Sequence, residues 1–139
     1  MSFVEHTCSR LTQLAADGAD VQRIADSVVV VWQELDAALS PIIGRRGVAA
    51  LFKRSVLLTA PAHPSLVAAH WDVETGGYFE SLRASLKQQS VAHAIATNGA
   101  LLRQFVDLLI ALIGESLTSR LLQSAIDHPP GHGAQEISS

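Results

Sequence analysis

The chain has 139 residues, 48% of them hydrophobic and 17% charged, which fits one globular domain and excludes extensive disorder. Ten Lys and Arg against thirteen Asp and Glu give a formal charge of −3, so overall charge offers no support for nonspecific nucleic-acid binding. The single cysteine, Cys8, cannot close an intramolecular disulfide and suits a reducing compartment.

The start of the chain shows no basic patch followed by an apolar stretch, so no secretory signal is expected. The greasiest stretch, Phe105 to Ile113, contains Asp107 and falls short of the roughly 20 apolar residues of a bilayer span. The expectation is a cytoplasmic protein without membrane contact.

Phe3, Thr7, Leu11 and Leu14 recur at helical spacing and predict a short helix ending near Asp17-Gly18. Asp20 can cap a second helix carrying Val21, Ile24, Val28, Val31, Leu35 and Leu39 on one face. The run Val28 to Trp32 favours a strand by local propensity, but the flanking register extends over several turns and outweighs it. Ser40-Pro41 reads as a stop and restart, Gly44 and Gly47 bracket a tight corner or weak first turn at Arg45-Arg46, and a third helix uses Val48, Leu51, Phe52, Val56 and Leu58 to about Ala60. Pro61 and Pro64 end it, a short turn is expected over residues 65–69, and Gly76-Gly77 breaks the chain again.

Phe79, Leu82 and Leu86 mark a fourth helix, and Ser90 caps a fifth from Val91 to Ile113. Between Leu101 and Ile113 the apolar positions of this fifth helix sweep an arc of about 200°, more than packing on one side requires. After Gly114 the register slips, and Leu117, Leu121, Leu122 and Ile126 form a sixth helix. The class is all-α: an antiparallel bundle of about five to six helices in a single domain over residues 1–127, with a flexible tail over 128–139.

Catalytic and metal motifs are missing. No histidine pair in a predicted helix has the i, i+3 or i+4 spacing of a metal site; His128 and His132 are separated by Pro129-Pro130. His70, Asp72 and Glu74 gather in a loop and read as solvated residues. Cys8 falls on the buried side of the first helix and reads as a core residue, and no nucleophile elbow or phosphate-binding glycine loop occurs. Neither an enzyme nor a cofactor is indicated.

One segment resembles a known family. His93-Ala94-Ile95-Ala96-Thr97 is distantly similar to the H-x-L-K-G signature of histidine phosphotransfer domains, which are helical bundles with an exposed acceptor histidine. It departs at Ala96 and Thr97, where the lysine and glycine would stand. The resemblance implies His93 as phosphoacceptor in an alternative reading.

Charge is distributed unevenly. Through residue 39 there are six acids and two bases, whereas residues 40–60 hold Arg45, Arg46, Lys53, Arg54 and no acid. On a helix beginning near Arg45 these cations share one side, with Ala49 and Ala50 between them. The reading favoured by the whole sequence is a small regulatory or interaction module without catalysis. It is expected to homodimerise through Phe105, Leu109 and Leu112 on the wide apolar arc and to meet an acidic protein through Arg45, Arg46 and Arg54. A further alternative is a sensor holding a small apolar molecule between helices, lined by Trp32, Phe52 and Trp71.

Overall fold

The computed structural model describes residues 3–66 and 78–127. Over these residues the protein is all-α: helices α1 (Phe3–Ala16), α2 (Val21–Thr59), α3 (Tyr78–Lys87), α4 (Val91–Ile113) and α5 (Glu115–Asp127), with a 3-10 turn at Pro64–Leu66. No strand occurs among them, so the valine run after Ser27 is helical. The turn expected at 65–69 begins in the 3-10 segment; its remainder, the loop histidine His70 with Trp71, and the tail lie outside the described residues.

Local chemistry sets the ends of these helices. α1 stops where Gly18 takes φ 98°, and the Ala19 N–H reaches back to the Leu14 carbonyl at 3.0 Å. Asp20 then accepts the Arg23 N–H at 2.9 Å and opens α2. Ser90 opens α4 in the same way, accepting the His93 N–H at 3.2 Å.

α2 is not a straight rod. Its rings Trp32 and Phe52 have centroids 5.0 Å apart, whereas twenty residues of continuous helix would separate them by about 30 Å. The chain reverses at Gly44, which has φ 82° and ψ 157°, so residues 21–43 and 45–59 form two arms folded against each other. This corrects the expected stop at Ser40-Pro41. The helix runs through Pro41, because a proline's fixed negative φ is compatible with helix, and reversal waits for a residue that tolerates positive φ.

The core forms where the two arms meet α4. Trp32 lies edge-on to Phe52 and to Phe105, each at 5.0 Å, and Phe52 meets Phe79 at 5.9 Å. α4 touches α1, α2, α3 and α5 and shares the centre of the bundle with α2. Its wide apolar arc is therefore covered from several sides by the same chain: Leu101, Leu102, Phe105 and Leu109 are all fully buried. The expectation of a water-facing strip is corrected here, since Phe105 and Leu109 are core and only Leu112 is exposed, at 58%.

By length and composition, α2 and α4 each hold an 18-residue stretch apolar enough to cross a bilayer, of which 28% and 39% is buried inside the chain. The apolar length of α4 thus exceeds the nine-residue stretch on which the sequence argument against a span rested.

Candidate functional site

The second arm of α2 carries the clearest surface feature. Val48, Ala49, Phe52, Ser55, Val56 and Thr59 turn inward and leave the opposite face free. Arg45, Arg46, Lys53 and Arg54 are all exposed on that arm. At about 100° per residue they cover half the circumference, with Arg46 and Lys53 near its middle and Arg45 and Arg54 at its edges. Of the alanines expected between them, Ala50 is exposed and Ala49 is buried.

These cations stand without ion pairs among the described residues. Asp26, which could have answered them, pairs instead with Arg83 at 3.2 Å, and Asp36 accepts the Ser40 hydroxyl at 3.0 Å. Two leucines complete the face: Leu57 is 64% and Leu58 is 44% exposed. Leu58 was expected in the core; its position falls beyond Arg54 on the outward side, away from Phe52 and Val56. Leu57 was missed altogether, and its spacing from Arg46, Ala50 and Lys53 was the available signal.

The other named residues separate. His93 is exposed on the first turn of α4, while Thr97, one turn on, is buried. Trp32 and Phe52, considered as ligand liners, are fused into the aromatic core instead. Their companion Trp71 lies outside the described residues. No group of three or more metal-binding side chains occurs among the described residues.

Cys8 is half-buried on α1, facing α4. A Cβ built on Gly99 would come within 3.0 Å of its sulfur, so the glycine makes room for the thiol. Burial pushes the Cys8 thiol above its ordinary value of 9.0, and the Arg103 charge opposes this more weakly.

A polar brace at the far end of α2 was not legible in the sequence. Gln89 Nε2 donates to the Ser85 carbonyl at 3.3 Å, turning its Oε1 toward Thr97, whose hydroxyl donates to it at 2.8 Å. The 3.2 Å contact between Thr97 Oγ1 and His63 Nδ1 then requires the proton on Nδ1, because the threonine's only proton is already committed. His63 thus donates from Nδ1 to the Thr97 oxygen. The residues involved are separated by as many as 34 positions, and no periodicity links them.

Comparison of the chain with protein-family models, with curated proteins and with solved structures finds no match.

Proposed function

We propose that this chain is a small helical interaction module that works without chemistry of its own and receives an acidic partner protein on the second arm of α2. One observation carries the reading: Arg45, Arg46, Lys53 and Arg54 are exposed without ion pairs among the described residues, and the exposed Leu57 and Leu58 extend the same face. Unanswered cations steer an anionic partner into encounter, and desolvated leucines hold it once there. The core behind the face is fully packed, so the arm presents a fixed surface. A cytoplasmic address suits such a module.

The test uses a labelled helical peptide rich in Glu and Leu, titrated with the protein and followed by fluorescence anisotropy. Binding should weaken steeply with added salt and be lost in Arg46→Glu/Lys53→Glu/Arg54→Glu. Absence of binding, or binding indifferent to the triple reversal, overturns the reading. Preference for anionic phospholipid vesicles over the peptide would assign the face to a membrane surface instead.

A second reading rests on the exposure of His93 at the start of a helix, where the positive end of the helix dipole favours an anionic modification. Incubation with phosphoramidate should then give an acid-labile phosphoprotein that His93→Gln abolishes. An unmodified wild-type chain removes this reading.

A further inference from the structure

α1 lies mainly on α4 and only lightly on α2, and the gap between α1 and the first arm of α2 is an open groove of about 230 Å³. Leu11 and Leu14 from α1 and Val30 and Val31 from α2 form its apolar walls. Thr7, Arg10 and Ser27 line it as well, and none of these three side chains has a hydrogen-bond or ion-pair partner among the described residues. Thr7 is 4% exposed as a residue, yet its hydroxyl is not among the buried unpartnered polar atoms, so what remains open of it faces the groove. Arg10 stands where this groove continues into a smaller one that also holds Phe3, His6 and Glu34.

From this placement we infer that the groove is a binding site for a small monocarboxylate with an apolar body, such as a short-chain fatty acid. Arg10 supplies a charge-assisted donor for the carboxylate, and the Thr7 and Ser27 hydroxyls supply further donors. The Leu11, Leu14, Val30 and Val31 side chains take the hydrocarbon. The volume equals that of roughly eight waters, which limits the ligand to a short chain or a single ring. Glu34 lines the adjoining smaller groove together with Arg10, and its charge disfavours a second carboxylate on the ligand. Occupation would bridge α1 to α2, two helices that otherwise touch little.

Hexanoate is the probe, followed by ¹H–¹⁵N amide shifts of the intact chain. The site predicts saturable shifts clustered on residues of α1 and the first arm of α2, with hexanol and adipate both binding more weakly. Arg10→Met changes an exposed side chain and should leave the spectrum folded while weakening hexanoate by about tenfold or more. Thr7→Val tests the Thr7 hydroxyl separately and should also weaken it. Shifts that are absent, scattered over the surface, or equal in Arg10→Met would overturn the proposal, as would hexanol binding as well as hexanoate. None of these outcomes bears on the basic face of α2, which lies on the other arm.

Discussion

The indole N–H of Trp32 donates to Oδ1 of Asn98 at 2.9 Å, a buried hydrogen bond that fixes the register of the first arm of α2 against α4. The amide Nδ2 of Asn98 is buried beside it without a partner among the described residues. The pair therefore joins two costs: a polar side chain held in an aromatic core, and an amide only half satisfied there.

Trp32→Phe should lower stability by about 2–4 kcal/mol, because it opens a cavity and leaves both ends of Asn98 unpaired. Asn98→Leu alone should also destabilise, leaving the indole N–H without its acceptor. Combining them removes both polar partners, so the double variant should be more stable than the two losses added together, by about 1–2 kcal/mol. Urea unfolding of the four proteins measures this coupling. Strictly additive losses would show that the bond contributes nothing beyond packing.

Gly44 offers a purely conformational test. Nothing lies within 4 Å of a Cβ built there, so the cost of Gly44→Ala comes from forcing an L-residue to φ 82° and ψ 157°. The expected loss is about 1–3 kcal/mol. Gly114, with φ 92° and ψ 157° and equal freedom from contacts, should behave alike. Pro41→Ala adds a helical N–H and should not destabilise at all. An unchanged urea midpoint for Gly44→Ala would mean that the reversal between the arms can be made another way.

Most helix boundaries were legible because local chemistry sets them: Gly18, Asp20, Ser90 and Gly114 each act within one turn of their own position. In α2 the break expected at Ser40-Pro41 was placed too early, because a serine-proline pair fits a helix restart, whereas the corner expected between Gly44 and Gly47 is where the chain reverses. The apolar arc of α4 was read correctly as too wide for one-sided packing, yet its covering was misassigned. Sequence periodicity gives the width of a face but not the number of neighbours, and here four helices of the same chain surround α4. Of the basic face, the cations were visible through their spacing, whereas Leu57 and Leu58 were hidden among apolar residues of the same helix. The Thr7–Arg10–Ser27 grouping and the His63 brace had no sequence signal, because each depends on separate helices being docked.

Cys8 should be slow to react. Its thiol is half-buried and its pKa is raised by burial, so little thiolate is present near neutral pH. Alkylation by iodoacetamide should be slower in the folded protein than in urea-unfolded chain at the same pH. The raised value also carries a stability sign: the folded state favours the protonated thiol, so this contribution is present below the ordinary value of 9.0 and is lost as pH rises through the folded one. Alkylation equally fast in both states would place the sulfur in water.

The basic face should be dispensable for folding. Its cations make no ion pairs among the described residues, and Arg46 and Lys53 repel each other across nearly the same line of the helix. Arg46→Gln/Lys53→Gln/Arg54→Gln should therefore leave the thermal midpoint unchanged or slightly raised, more so at low salt. A marked fall would mean that these side chains are structural, and would remove the basis for a partner surface.

Leu109 and Leu112 lie on the same helix and separate core from surface. Leu109 is fully buried, while Leu112, nearly one turn on, is 58% exposed. Leu109→Glu places a carboxylate in the buried interior, and the penalty of several kcal/mol should abolish cooperative unfolding. Leu112→Glu adds charge to a side chain already in water and should preserve stability. The second variant also tests pairing through α4. With Phe105 and Leu109 covered by their own chain, one exposed leucine is far short of the roughly 1,000 Å² that a specific interface needs. Sedimentation of Leu112→Glu should therefore match that of the wild type at every concentration. A lower mass for this variant would restore α4 as a contact between copies, and a folded Leu109→Glu would show that the helix is not held centrally at all.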